Sequence, residues 1–347
     1  MPFLTEILPG IGGQMRMTPE DFQVEERPLY LPCGEGEHLY IKIKKRLLST
    51  PDLVLRLSSL LGVKAQAIGV AGLKDARAVT TQMVSLLGVP ADRLDRLKVD
   101  EQLLSVEVLG RHRNRLRPGH HAGNHFRLVI RDVAAHARET VPLVMETLVR
   151  RGVPNYFGQQ RQGRKGQNYR IGAELLVDPA RRDKLSRSKR MWYFNAYQSH
   201  LFNDMLARRL NRLDRILVGD WAMKMDNGAC FQVEDAVKEQ PRVERFEISP
   251  TGILFGSRAS WASGEPGEME RAAVVESGAT PESLTEAAKA CGFRGERRSF
   301  RISLADLEWT LKGTVLTISF SLPPGAYATN VLRELMKNDL QATENAR

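Results

Sequence analysis

The sequence predicts an α+β chain whose strands and helices do not follow one another in steady alternation. Segments such as 39–44 and 314–320 alternate apolar and polar side chains with period two, the pattern of half-buried strands. Apolar residues recur at helical spacing over 53–61, 139–149 and a long stretch from Met191 to Leu213. The order of these segments lacks the repeating strand–helix–strand rhythm of a doubly wound parallel sheet.

Taken in order, Leu39-Tyr-Ile-Lys-Ile-Lys reads as a strand with one charged face. Thr50-Pro51 supplies an N-cap and a first-turn proline. Leu53, Val54, Leu57, Leu60 and Leu61 then form one helical face, and Gly62 stops the helix. Ala67 to Gly72 and Gln82 to Leu87 are short apolar runs that read as buried strands with a turn between them. Leu104 to Leu109 and Phe126 to Val133 read as further strands, and Glu139 to Val149 as an amphipathic helix ending near Gly152. The character changes at about residue 154. A Gly-, Gln- and Arg-rich stretch leads into the long helical pattern, a Gly/Glu-rich loop is expected over Ser263 to Glu270, and a helix over Pro281 to Ala290. Alternation returns at Thr314-Val-Leu-Thr-Ile-Ser-Phe, followed by a Pro323-Pro-Gly turn and a helix from Ala328 to Met336 with Thr329 as its cap. No internal repeat appears.

The chain of 347 residues is long enough for two domains, and 42% hydrophobic content supplies their cores. Lys and Arg total 51 against 41 acids, a formal charge of +10, which suits a polyanionic partner through a salt-sensitive attraction. No apolar run approaches the ~20 residues that span a bilayer, so no membrane association is expected. The N-terminus lacks a basic n-region, and Cys33, Cys230 and Cys291 are odd in number and far apart. Both facts lead us to expect a cytoplasmic protein without disulfides.

Metal and nucleotide signatures fail. His120, His121 and His125 lack zinc spacing with a companion Cys or Glu, so no metal is expected and these side chains are read as facing RNA or solvent. Gly158-x4-Gly163 is followed by Arg164-Lys165 rather than Gly-Lys-Ser/Thr, which excludes a phosphate-binding loop of that type. Arg111, Arg113, Arg115, Arg117, His120 and His121 form a basic cluster that fits either a solvated face or a phosphate contact.

The strongest chemical signal is Gly72-Leu-Lys74-Asp75-Ala-Arg-Ala-Val-Thr80-Thr-Gln82. It places one carboxylate, Asp75, on the turn between the two apolar runs, where a side chain can reach a ligand while its backbone stays anchored. Four more segments join it: Arg16-Met-Thr-Pro-Glu-Asp-Phe22-Gln-Val-Glu25, Gly123-Asn124-His-Phe126, Pro154-Asn-Tyr-Phe-Gly-Gln-Gln-Arg161-Gln-Gly163, and Leu322-Pro-Pro-Gly325-Ala-Tyr327-Ala-Thr329. By pattern alone Phe22 is a strand core residue, Gly123-Asn124 a turn pair and Tyr327 a partly buried aromatic. Together, in this order and at these separations, the five resemble the motifs of the TruD-type pseudouridine synthases. Two positions depart from the family pattern. Arg16 stands where lysine is common, and Gln162 where phenylalanine is usual.

The resemblance implies a discontinuous catalytic domain with a mixed, largely antiparallel sheet, made of residues 1–153 and 306–347, and an inserted α+β domain, 154–305, that grips RNA. It implies isomerisation of uridine to pseudouridine in tRNA, at uridine 13 in bacterial members, with Asp75 as the catalytic residue. Phe22, Asn124 and Tyr327 would line the uridine pocket, with Phe126 as a further packing candidate. Arg16 is the expected cation beside Asp75, with Lys74 behind it. The reaction breaks N1–C1′, turns the uracil and joins C5 to C1′, with no redox change and no entering group, so no cofactor is expected. The carboxylate serves either as a nucleophile at C1′ or in forming a glycal. No obligatory protein partner is evident, and a monomer is expected. The competing expectations are a non-catalytic RNA-binding or chaperone protein of the same fold, and the same chemistry on another RNA.

Overall fold

The structure, a computed structural model, describes residues 1–163 and 166–338, without the side chains of Gln159 and Gln160. Arg164 and Lys165 lie outside the described residues. The chain runs β1 (Gly12–Met15), β2 (Phe22–Pro28), β3 (His38–Arg46), α1 (Thr50–Leu61), β4 (Ile68–Val70), β5 (Val79–Leu87), β6 (Leu103–His112), β7 (His121–Val133) and α2 (Ala137–Arg151). There follow β8 (Val153–Pro154), α3 (Asn168–Val177), α4 (Pro179–Asp183), α5 (Arg187–Arg209), β9 (Trp221–Lys224), β10 (Cys230–Gln232), α6 (Ala236–Glu244), β11 (Ile248–Leu254), α7 (Gly264–Glu276), α8 (Pro281–Cys291), β12 (Glu296–Ser299) and β13 (Arg301–Ile302). β14 (Ala305–Lys312), β15 (Val315–Leu322) and α9 (Ala328–Met336) complete it. Among the described residues no helix is long and apolar enough to cross a membrane.

Two compact units result. The first holds Gly10–Val141, Leu304–Ala326 and, among the described residues, 336–338; the second holds Met1–Pro9, Pro142–Ser303 and Tyr327–Leu335. Residues 1–9 and 327–335, which the sequence reading grouped with 1–153, thus fold with the block that begins at Pro142. The buried carboxylate of Glu334 joins the two segments by accepting from the backbone amides of Leu4 (3.1 Å) and Thr5 (2.9 Å) and from the Thr5 hydroxyl (2.8 Å), and Asn330 Nδ2 ties them to the block by donating to Tyr156 O at 2.9 Å.

The first unit is built on a nine-stranded mixed sheet, β14-β15-β7-β2-β5-β3-β6, with β1 added to β7 and β4 to β5. Every pairing is antiparallel except β2 with β5. Register decides which side chains share a face. Val24 lies opposite Phe126 and Glu26 opposite Asn124, while Phe126 faces Phe320 on β15 and Val24 faces Thr80 on β5. Phe22, Val24, Glu26, Asn124, Phe126, Thr80 and Gln82 therefore stand on one face. Leu53, Leu57 and Leu61 of α1 pack with Leu39, Ile41, Ile43, Val84 and Leu86 of the sheet.

α1 departs from expectation at its cap. Ser49 is the N-cap, its hydroxyl accepting from Asp52 N at 3.2 Å, and Thr50 is the first helical residue. Thr50 instead donates to Gln82 Oε1 (3.0 Å) and accepts from Lys74 N (2.9 Å), both long-range bonds that local pattern does not reveal. Gly62 ends the helix in the left-handed region, φ 65°, where glycine carries no Cβ penalty. Thr329 likewise lies inside α9, which starts at Ala328.

In the second unit β10-β9-β11-β12 form a four-stranded sheet and β8 pairs with β13. Leu201, Phe202, Met205 and Leu206 of α5 pack with Leu175 of α3, Val274 of α7 and Leu284 of α8. The stretch Ser263 to Glu270 is not a loop but the start of α7. Gly267 serves packing: a Cβ there would lie 2.2 Å from Ala262 O. Glu270, fully buried, accepts from Ile253 N (3.1 Å) and Ala262 N (2.9 Å) and pairs with Arg297 (2.6 Å). Such tertiary bonds override a composition that looks like a loop.

Candidate active site

Asp75 lies on the connection from β4 to β5, as its flanking apolar runs predict. That connection is tied down along its length. Ala71 O accepts from Gly119 N (2.8 Å), Ala78 O from Leu47 N (3.2 Å), and Lys74 N donates to Thr50 Oγ1 (2.9 Å). Asp75 Oδ1 accepts from Arg77 N at 3.1 Å, closing an Asx turn, and the carboxylate stays partly exposed. An anchored backbone and an accessible carboxylate are what a nucleophile or charge-stabilising group needs.

Arg16 is the cation that meets it, Nη2 to Oδ2 at 2.7 Å, so arginine in place of the usual lysine still gives a charge pair. The Arg16 guanidinium also lies 4.0 Å over the Phe22 ring, and Phe22 meets Phe126 edge-on at 6.3 Å. Arg16 reaches this position with φ 59°, a left-handed conformation unusual for a residue with a Cβ. Phe22 and Phe126 are nearly buried, and Phe126 packs on Phe320 at 5.6 Å, so both rings are also sheet core.

Lys74 does not back up Arg16. Its ammonium turns to a buried network, 2.8 Å from Glu26 Oε2 and 2.7 Å from Asn124 Oδ1. Glu26 is fixed on its other oxygen by Met83 N at 3.1 Å. One chain of contacts thus links Asn124, Lys74, Asp75, Arg16, Phe22 and Phe126. Tyr327 stands in the second unit, just before α9, half-buried against that unit's apolar cluster.

Glu26 and Lys45 escaped the sequence reading although a signal was present. Each is a charged residue in the apolar phase of an alternating strand, Phe22-Val24-Glu26 on β2 and Ile41-Ile43-Lys45 on β3. Lys45 is fully buried and donates to Leu48 O. Burial pushes its ammonium down to about 8, against a partial opposing pull from Asp75. The unfolded state then binds more protons than the native state between about pH 8 and 10.5, so this group makes stability rise with pH across that window. In Lys45→Met, chemical unfolding at pH 8 and pH 10 is expected to show a smaller gain, or a larger loss, than in the parent chain.

No group of three candidate metal ligands occurs among the described residues. His120 Nδ1 bonds the Tyr30 hydroxyl (2.8 Å) and His125 Nδ1 bonds Ser321 Oγ (3.0 Å). Burial, with Lys74 nearby, pushes His121 below its ordinary range, favouring the neutral ring. The basic cluster divides. Arg113 pairs with Glu35 at the surface, whereas Arg115 donates to Ile68 O at 2.7 Å and so helps hold β4.

The family model for tRNA pseudouridine synthase D (TruD) matches residues 1–182 and 180–335. The tRNA pseudouridine synthase D of one Thermus thermophilus strain is 42% identical, covering 97% of this chain and 92% of its own. That of Anaeromyxobacter dehalogenans is 41% identical over 99% of both chains, and that of Syntrophotalea carbinolica 39% identical over 97% and 99%. A crystal structure of the putative tRNA pseudouridine synthase D from Methanosarcina mazei superposes with a TM-score of 0.81 at 24% identity, covering 98% of this chain and 97% of that one, a likeness of fold. With a matching family model along nearly its whole described length and relatives at about 40% identity, the chain belongs to the tRNA pseudouridine synthase D (TruD) family.

Proposed function

We propose that this chain isomerises uridine to pseudouridine in tRNA, with Asp75 as the catalytic residue. The observation that carries the reading is the pairing of a partly exposed Asp75 with Arg16 at 2.7 Å on an anchored turn. The guanidinium holds the carboxylate in place for attack on C1′ or for stabilising a glycal-forming transition state. Because the reaction is redox-neutral and moves one base within one nucleotide, the chain's own side chains suffice and no cofactor is invoked. The target base must leave its stack to reach Asp75. Asn124, with Phe22 and Phe126 on the same sheet face, is proposed to contact the base. Tyr327 is assigned to the base on its motif alone.

Uridine 13 is the site we propose, on the resemblance of the five motifs to those of bacterial members, in a cytoplasmic enzyme acting as a monomer without an obligatory partner. The second unit, α+β with arginines on α4 and at both ends of α5, is proposed to grip the RNA body. Incubating the purified protein with unmodified tRNA transcripts and mapping pseudouridine at nucleotide resolution tests the reading. Modification confined to another position, or none, would overturn it.

Binding is expected to weaken steeply with salt, since each phosphate contact releases counterions. Arg115 is held in a structural bond, so the informative substitution is Arg113→Ala with Arg117→Ala, both exposed. That variant is expected to bind tRNA more weakly with a shallower salt slope and an unfolding midpoint near the parent's. An unchanged slope in filter-binding titrations would assign the cluster to solvent.

A further inference from the structure

We propose that Lys74, held by Glu26, fixes Asn124 as a hydrogen-bond donor toward the target base, and that this orientation makes the pocket select uracil over cytosine. The inference rests on the reading of Asn124 as a base contact and deepens it.

The two ends of an asparagine amide differ in role, the oxygen accepting and the nitrogen donating, and the surrounding bonds decide which end points where. An ammonium only donates, so the end of Asn124 that meets Lys74 Nζ at 2.7 Å must be Oδ1. The ammonium itself cannot drift. It is almost fully buried, 2.8 Å from Glu26 Oε2, and Glu26 is held through its other oxygen by the backbone amide of Met83. Glu26 and Asn124 are register partners on β2 and β7, so the sheet itself sets their spacing. Among the described residues Asn124 Nδ2 has no hydrogen-bond partner, and the residue is partly exposed. The side chain therefore offers two N–H donors and no acceptor to whatever enters.

Uracil answers that offer in both poses the reaction requires. Replacing N1 by C5 as the atom facing C1′ is a half-turn of the ring about the axis through N3 and C6. The same half-turn exchanges O2 with O4. Both are acceptors, so an N–H that meets a carbonyl before the turn meets one after it. Cytosine carries an amine donor at C4, where uracil carries an acceptor. With Asn124 facing the 4-position on entry, cytosine places donor against donor before any turn, in the pose that equilibrium binding reads.

The test measures equilibrium binding of tRNA transcripts carrying U or C at the target position to Asp75→Asn protein, which holds substrate without turnover. The parent of this series is expected to prefer U by on the order of tenfold, the effect of leaving a buried donor unpaired. Adding Lys74→Met with Glu26→Gln, which removes the pair together, frees the amide to turn over and should bring the ratio towards one. Asn124→Asp keeps the Lys74–Glu26 pair but presents only an acceptor, and should shift preference towards C. A folded Lys74→Met/Glu26→Gln protein, or a folded Asn124→Asp protein, that keeps the full preference for U would overturn the orienting role. Asn124→Ala separates the two layers of the argument. If it too keeps the preference, Asn124 does not touch the base and the underlying reading fails. If it abolishes the preference while the Lys74→Met/Glu26→Gln protein keeps it, only the orienting role fails.

Discussion

Purified Asp75→Asn protein is expected to form no pseudouridine above background while folding and binding tRNA nearly as the parent does. The amide keeps the size of the carboxylate but is a far poorer nucleophile and carries no charge to stabilise a developing cation at C1′. The structural cost is small. Asp75 is partly exposed, and an ion pair of that kind contributes at most about 1 kcal/mol. The Asx turn to Arg77 N survives, because an asparagine Oδ1 accepts the same bond. Three assays read the outcome: pseudouridine mapping, filter binding and thermal unfolding. Full activity would remove the catalytic assignment. Loss of activity in step with loss of fold would recast Asp75 as structural.

The second large effect falls on the neighbouring residue and is of the opposite kind. Lys74→Met strands the Glu26 carboxylate in a site where that side chain is 1% exposed. Removing one partner of a buried pair costs about 3–5 kcal/mol, because the remaining charge has lost both water and its counter-ion. For a unit of this size that is roughly a 10 °C drop in melting temperature. Adding Glu26→Gln should recover most of the loss, since a neutral amide can still accept from Met83 N. A single variant that melts with the parent, followed by differential scanning calorimetry, would show that the pair is solvated in solution. Adjacent residues in one motif are thus expected to separate, Asp75→Asn losing turnover and Lys74→Met losing stability.

Much of this was legible in the sequence because the controlling interactions are local. The strands over 38–46, 79–87 and 315–322 and the helices over 50–61 and 281–291 follow from alternation, helical spacing and capping chemistry within each segment. Asp75 could be placed on a turn because apolar runs bracket it. The Arg16–Asp75 pair was reachable because one family motif supplied the cation and another the acid. Reasoning failed where a partner lay far along the chain. Thr50 looked like a cap until Gln82 and Lys74 N claimed its hydroxyl. The Gly/Glu stretch at 263–270 looked like a loop because the bonds that make Glu270 a core residue come from Ile253, Ala262 and Arg297. The role of Lys74 depended on Glu26, and nothing local joins those two positions.

The backbone of Arg16 sets heat resistance against turnover at a single position. A left-handed φ on a residue with a Cβ costs of order 1–3 kcal/mol at functional sites of this kind, and a glycine there would recover part of it. The side chain lost in that exchange is the one that neutralises Asp75 and covers Phe22. Selection of this enzyme for thermal survival alone is therefore expected to drift towards glycine at residue 16 and to yield robust, slow proteins. Selection for pseudouridine formation should hold the strained arginine, or a lysine, in place.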